Sequence, residues 1–224
     1  MGGNVWLGAC VVSVWCSRAL AVLATGFVAG FGLLPAEPSR AAVFDVAEWF
    51  EGLSLPVPSP SSIVVCHGFG CHTRTIIALT GADRVALANM VRGATPDAER
   101  RGLARAIAWF DRRVGRQTGT TGAKAYARGL AGDASQFDCV DRATNTTSLL
   151  VVIDQWKLLQ HHEVQKPASR AFIPIVEGPH TTAVVAERKS GQKWVLDPWT
   201  HNYAELPDVM PLEKWHKLSD RPAR

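Results

Sequence analysis

Gln136-Phe137-Asp138-Cys139-Val140-Asp141 is followed by apolar residues at helical spacing, which predicts that a helix begins here. Asp138 is suited to cap this helix, and Asp141 stands near its third position, as in a capping box. A cysteine in the first turn of a helix lies among outward-pointing N–H groups at the positive end of the helix dipole, which favours thiolate over thiol. The pattern therefore predicts that Cys139 is a nucleophile.

Two later residues extend this pattern into the parts of an acyl-transfer site. His180 opens a predicted strand, and Asp197 ends the next one. Such a site needs a nucleophile, a base that takes its proton and a carboxylate that orients the base. We expect Gln136 to be an oxyanion donor beside the backbone N–H of Cys139, and Trp199 to line the cleft as a packing residue.

These residues also have purely structural interpretations. Cys139 could be a small buried hydrophobic residue, but Asp138 and Asp141 are unusual neighbours for one, so catalysis is favoured. The same two carboxylates raise the pKa of a thiol, and the helix terminus and a protonated His180 must outweigh them. Asp197 precedes a proline and could simply end a strand.

The predicted hairpin between His180 and Asp197 sets a geometric condition on the site. With a two-residue turn at Ser190-Gly191, the two side chains share a face of the sheet but lie about 13 Å apart along the strand. Contact requires the turn to move towards Arg188, with the additional residues accommodated as a bulge near Gly191. A register shifted by one residue would place the side chains on opposite faces.

The sequence around these three residues resembles a known family. Asp138-Cys139-Val140-Asp141-Arg142-Ala143 is similar to the Asp-Cys-x-Asp-x-Ala around the nucleophile of bacterial transglutaminase-like cysteine peptidases. The segment from His180 to Val185, and Gly191 with Trp194 to Pro198, resemble the histidine and aspartate strands of the same superfamily. The resemblance covers residues 133 to 200.

The resemblance implies a papain-like Cys-His-Asp triad formed by Cys139, His180 and Asp197. It also implies an α+β fold in which a helical N-terminal half packs on a small antiparallel sheet. The expected activity is that of a hydrolase or acyltransferase on amide bonds of a peptide or protein, with no cofactor. Family members that bind calcium carry an acidic residue after the cysteine, and Val140 stands there in this chain, so calcium dependence is not carried over.

Length and charge limit the alternatives. The 224 residues suggest one domain, and a net charge of +4, spread along the chain, argues against nucleic acid as a partner. Residues 5 to 34 hold one charge, Arg18, and the apolar run after it suits a signal peptide but is short for a spanning helix of about 20 residues. We therefore expect residues 1 to 40 to be a signal peptide or an outward-facing anchor that contacts the membrane, and the protein to be exported, periplasmic or membrane-anchored.

The segment Cys66-His67-Gly68-Phe69-Gly70-Cys71-His72 has two interpretations. In an oxidising compartment Cys66 and Cys71 can form a disulfide, which leaves Cys139 as the odd thiol. Alternatively, Cys66, His67, Cys71 and His72 could bind zinc or copper in a non-catalytic exported module. The spacing fits a zinc site poorly, so the disulfide is favoured, and the loop could border the active cleft.

The remaining segments complete the predicted organisation. Residues 41 to 62 form an N-terminal helix and a Pro/Ser-rich link, and residues 63 to 224 form the catalytic domain. Helices are predicted over 80–91, 95–114, 138–162 and 212–218, and strands over 62–65, 170–176, 181–187 and 193–196. The loop 115–132 is expected to form one wall of the cleft. Surface positions are expected for His161, His162 and the arginines of the 95–114 helix, at 100, 101, 105, 112 and 113.

Overall fold

The computed structural model describes residues 40 to 170 and 179 to 218, which form helices and two small antiparallel sheets. The helices are α1 (Arg40–Gly52), α2 (Gly81–Val91), α3 (Pro96–Thr118), α4 (Cys139–Gln155) and α5 (Leu212–Trp215). The strands are β1 (Ser62–His67), β2 (Thr73–Ala78), β3 (His162–Arg170), β4 (His180–Glu187), β5 (Lys193–Asp197) and β6 (Asp208–Pro211). The predicted α+β class is confirmed.

The segment predicted to be a signal peptide or anchor lies outside the described residues, apart from Arg40 at the start of α1. Within the described ranges, no helix has both the length and the apolar character needed to span a bilayer. Helix α1 packs against β3, and Val46 and Phe50 belong to the main hydrophobic core. The Pro/Ser-rich link therefore joins two parts of one core and does not hold α1 away from the body.

The starts of α2 and α3 follow their sequence signals. Thr95 caps α3 by accepting the N–H of Ala98 at 3.2 Å, and Thr80 with Asp83 forms a capping box at α2. Helix α3 runs past its predicted end and stops at Gly119, whose φ of +74° is in the left-handed region that glycine tolerates best. The predicted loop after α3 is correspondingly shorter.

Helix α4 is the central element because it packs against β1, β3 and β4. Its apolar residues, among them Leu149, Leu150 and Ile153, are fully buried in the main core. Trp49 of α1, which packs against the same core, donates its Nε1–H to Thr144 at 3.2 Å. This packing on several sides fixes the direction of α4 within the fold.

Helix α4 ends earlier than predicted. The chain leaves the helix at Lys157, whose φ is +59°, and β3 begins at His162. The predicted helix end and strand start are therefore wrong, and residues 171 to 176 of the predicted strand lie outside the described part of the chain. Trp156 and Leu159 continue the helical spacing of apolar residues in the sequence although they follow the helix, because the connection after α4 also packs them against the core.

The predicted surface positions of His162 and Arg100 are also wrong. His162 is 0% exposed, and its Nδ1 lies 2.8 Å from Oε1 of Glu99, which is equally buried. Nε2 of His162 lies 3.2 Å from Nη1 of Arg100, which also pairs with Glu187 at 3.2 Å. These polar groups can be buried because the tertiary fold supplies their partners, and helical spacing alone does not reveal such partners.

The four-stranded sheet has the order β3-β4-β5-β6, with all neighbours antiparallel. The register of β3 against β4 is interrupted between Gln165 and Ala168, where Pro167 has no N–H to donate. One face of the sheet packs in the main core, and the other carries Val184 and Val195 against Trp215. The alternation of side chains places His180 on the second face, at the end of β4.

Candidate active site

Cys139 is the first residue of α4, as predicted. Asp138 accepts the N–H of Asp141 at 2.8 Å, and Asp141 accepts the N–H of Asp138 at 3.3 Å, which confirms the capping box. Cys139 is half-buried, and its Sγ lies 3.8 Å from the carbonyl oxygen of Pro179. The backbone N–H of Thr181 also favours the thiolate form. The sulfur therefore lies beside the two residues that flank His180.

His180 and Asp197 are in direct contact. Nε2 of the imidazole lies 2.6 Å from Oδ2 of the carboxylate, and both side chains are almost completely buried. A carboxylate on Nε2 keeps the proton there and leaves the lone pair on Nδ1. Nδ1 of His180 is buried and makes no hydrogen bond within the described residues, including none to Cys139. The structure thus joins two of the three predicted residues and places the third beside them.

The contact depends on the register of the hairpin. The pairs Ala183–Leu196 and Val184–Val195 extend to place Asp197 beside Thr182, on the same face as His180. The turn is centred one residue closer to Arg188 than a Ser190-Gly191 turn would be, and Gly191 has a φ of +71°. The turn is shifted in the predicted direction. The shift halves the separation of His180 and Asp197 along the strands, so the two side chains meet diagonally across the hairpin.

Two tryptophans enclose the imidazole. The ring of Trp199 lies 4.6 Å from that of His180, and the ring of Trp215 lies 5.3 Å away. Trp215 also donates its Nε1–H to Oδ2 of Asp197 at 2.9 Å, and Trp199 donates its backbone N–H to Oδ1 at 3.3 Å. Trp199 was predicted as a packing residue, whereas Trp215 was missed because it lies in a separate helix, α5, with no local signal.

Burial raises the pKa of the Cys139 thiol to about 11. The carboxylates of Asp138 and Asp197 add to the rise, and the backbone N–H groups of Thr181 and Cys139 oppose it only in part. The predicted thiolate is therefore wrong for the resting protein, because the favourable helix terminus does not outweigh burial and the neighbouring charges. The thiol needs a base when it reacts.

This raised pKa predicts the pH dependence of alkylation. The rate of iodoacetamide labelling at Cys139 should rise about tenfold per pH unit between about pH 7 and 10, because the thiolate fraction does so below the pKa. Peptide mass spectrometry at each pH measures the rate at this residue. The urea-denatured chain is the control and should level off near the ordinary cysteine pKa of about 8.5; a native profile that levels off there too would contradict the raised pKa.

Gln136 has contacts that differ from the predicted oxyanion role. Its side-chain carbonyl accepts the N–H of Lys124 at 2.9 Å, and its amide nitrogen donates to Gly122 and Ser135, each at 3.3 Å. Both N–H groups of the amide are therefore used within the loop before α4. These contacts favour a role in holding the loop over one in binding an oxyanion.

The loop predicted as a cleft wall passes beside the aromatic residues of the site. The N–H of Tyr126 donates to the carbonyl of Trp199 at 3.1 Å, and the two rings meet edge to face at 5.3 Å. A short 3₁₀ turn, Arg128–Leu130, follows. Through Trp199, this loop is linked to the imidazole of His180.

Cys66 and Cys71 form a disulfide, as predicted, and Cys139 is a free thiol. The disulfide removes both sulfur ligands from the alternative metal site. His67 is buried, with Nδ1 2.6 Å from the carbonyl of Ala134 and Nε2 3.0 Å from Thr75. His72 is exposed, and no group of three metal-binding side chains occurs in the part of the chain that the structure describes.

Comparison with protein-family models, with curated proteins and with solved structures gives no match for this chain.

Proposed function

We propose that this protein is a cysteine hydrolase or acyltransferase that acts on amide bonds of a peptide or protein. One observation carries the proposal: the buried His180–Asp197 pair leaves Nδ1 of the imidazole without a partner, beside a half-exposed thiol. A buried polar atom with no hydrogen bond destabilises the fold, and a folded protein retains such an atom where it serves a function. Accepting the proton of Cys139 during catalysis would be that function.

The proposed reaction has two stages. Sγ of Cys139 attacks the carbonyl carbon of the substrate while Nδ1 of His180 takes the thiol proton. The tetrahedral intermediate collapses, the C–N bond breaks, and the leaving amine receives that proton from His180, which leaves a thioester on Cys139. Water or a second amine then attacks the thioester, His180 takes its proton, and the proton returns to the sulfur as the product leaves. Water gives hydrolysis, and an amine gives transamidation.

Asp197 has a defined part in this mechanism. Its carboxylate holds the proton on Nε2, so Nδ1 stays available as the base, and it stabilises the imidazolium that forms in each stage. The indole of Trp215 donates to the same oxygen and limits its movement. No hydrogen bond joins the thiol to the imidazole in the structure, so the two side chains have to approach each other before the proton is transferred.

The backbone N–H of Cys139, at the first turn of α4, is the group best placed to bind the oxyanion in this mechanism. The transglutaminase-like fold remains part of the proposal and is supported by the order of nucleophile helix, histidine strand and aspartate strand. We also propose that the protein acts outside the cytoplasm. The Cys66–Cys71 disulfide is consistent with that location.

Acyl transfer from p-nitrophenyl acetate tests the proposed function. The wild-type chain should release p-nitrophenolate in a burst of about one equivalent, followed by slower turnover. If the enzyme accepts amines, adding a primary amine such as glycine amide should give the N-acetyl amine faster than the same mixture without enzyme. Cys139→Ala should abolish the burst, since no other residue is proposed to carry the acyl group. A burst of equal size in Cys139→Ala would contradict the proposal.

A further inference from the structure

The disulfide-closed segment of residues 66 to 71, here called the disulfide loop, forms hydrogen bonds with the start of α4. The N–H groups of Phe69 and Cys71 donate to the two oxygens of Asp141 at 2.8 and 2.6 Å. The N–H of Gly70 donates to Asp138 at 2.8 Å. Three consecutive N–H groups of the loop therefore bind the two carboxylates that flank Cys139 in the sequence.

The loop is fixed on both sides of the nucleophile. The N–H of Cys66 donates to Oδ1 of Asn145, and Nδ2 of Asn145 donates back to the carbonyl of Cys66, both at 2.7 Å. On the other side, the N–H of Gly68 donates to the backbone carbonyl of Gln136 at 2.9 Å. Contacts from the loop thus extend from the residues before Cys139 to the second turn of α4.

The backbone of the loop is unusual. Gly68, Phe69, Gly70 and Cys71 all have positive φ values, of +79°, +72°, +60° and +59°. This conformation is unfavourable for Phe69 and Cys71, which carry side chains, and it persists only where the surroundings enforce it. A run of this kind points successive N–H groups towards one side, as in backbone anion-binding turns. Closing a simple hairpin would not require it.

We propose that the disulfide loop and Asp141 form a clamp that positions Cys139 for proton transfer to His180. The proposal rests on the proposed function and adds Asp141 as a positioning residue. The physical reason is geometric: the sulfur is at the first residue of α4, and a displacement of about 1 Å there can cost about 10²-fold in rate. Packing of the helix body alone does not hold its first turn, where the backbone N–H groups have no helical partners.

The clamp is tested by the change in the rate of acyl transfer caused by His180→Ala. We expect this change to be about 10³-fold in the otherwise wild-type chain and to fall below about tenfold in the Asp141→Asn background. Asparagine keeps the size of the side chain but replaces one acceptor oxygen with a donor that opposes the loop N–H groups. Burial and the charge of Asp138 raise the pKa of Asp141 to about 7, so the rates are measured at about pH 8.5, where its carboxylate is ionised.

Asp83→Asn is the matched control. Asp83 is also buried and also stands at the third position of a capping box, but in α2. The full effect of His180→Ala should persist in this background. If Asp141→Asn does not fold, Cys66→Ala with Cys71→Ala weakens the clamp from the loop side and should give the same reduced effect.

The outcomes separate the two proposals. An undiminished His180→Ala effect in the clamp variants, equal to that in Asp83→Asn, would overturn the clamp and leave the proposed function intact. A wild-type chain that shows no effect of His180→Ala would overturn the proposed function itself and with it the clamp. A reduced effect that is confined to the clamp variants is the expected result.

Discussion

Replacing His180 by alanine is expected to slow the transfer of an acyl group to the chain by about 10³-fold, within the range found for general acid–base residues. The thiol of Cys139 has a pKa raised to about 11 by burial, so almost none of it is ionised at neutral pH without a base. Nδ1 of His180 is a buried nitrogen without a hydrogen-bond partner in the described part of the chain, and Sγ of Cys139 lies 3.8 Å from the carbonyl oxygen of the preceding residue, Pro179. The effect is measured as the burst rate of p-nitrophenolate release from p-nitrophenyl acetate at about pH 7.5.

His201→Ala provides the matched control for this prediction. His201 lies in the turn after Asp197 and pairs with Glu205 and Asp208 at 3.7 and 3.2 Å, not with the proposed triad. Its replacement should change the burst rate less than about twofold, because its half-buried ring faces these two carboxylates and has no part in the proposed proton transfer. Equal effects of His180→Ala and His201→Ala would show that the loss reflects general disturbance of this region, and the role of His180 as the base would be wrong.

Glu99→Ala is expected to lower the free energy of unfolding by about 3–5 kcal/mol, the usual cost of removing a buried charged group whose hydrogen-bond partners then stay unpaired. Glu99 is 0% exposed and accepts the N–H groups of Gln160, His161 and His162 as well as Nδ1 of His162. All four donors would lose this acceptor, and the two of His162 are buried. Denaturation by urea, followed by circular dichroism, measures the change.

Asp97→Ala is the control from the same helical turn. Asp97 is exposed and pairs with the exposed Arg101 and, at 3.6 Å, with the buried Arg100; because its own carboxylate is in water, the expected loss is below about 1 kcal/mol. Burial acts to raise the pKa of Glu99, but hydrogen bonds from His162, Gln160 and His161 outweigh it and lower that pKa below 4.5. The stabilisation is therefore present above about pH 4.5 and is lost as the pH falls through the lower folded-state value. Similar losses for Glu99→Ala and Asp97→Ala would contradict this account.

Local signals were sufficient for the parts of the site that lie at element ends. The cap at Asp138 predicts where α4 starts, and alternation predicts that His180 and Asp197 share a face of the sheet once the register has the right parity. The exact position of the turn could not be chosen from sequence, because hairpins with two- and four-residue turns keep the same alternation here. Only the pairing of Val184 with Val195 decides it.

Other features depend on contacts between distant segments and have no local signal. Trp215 supports Asp197 from a helix near the C-terminus, and Glu99 binds His162 across 63 residues of sequence. Arg100 and His162 were predicted to lie on the surface, but both are buried because other elements of the fold supply their polar partners. The raised pKa of Cys139 has the same origin, since its burial comes from the way α4 packs against β4.

The most direct test of the proposed site is the position of the acyl group after one turnover. The wild-type chain is mixed with p-nitrophenyl acetate, quenched in acid during the burst, digested and mapped by mass spectrometry. We expect one acetyl group, bound as a thioester to Cys139, and its loss on treatment with neutral hydroxylamine. An acetyl group found on a lysine or histidine, or release of p-nitrophenolate with Cys139 unmodified throughout, would contradict the claim that this thiol is the nucleophile.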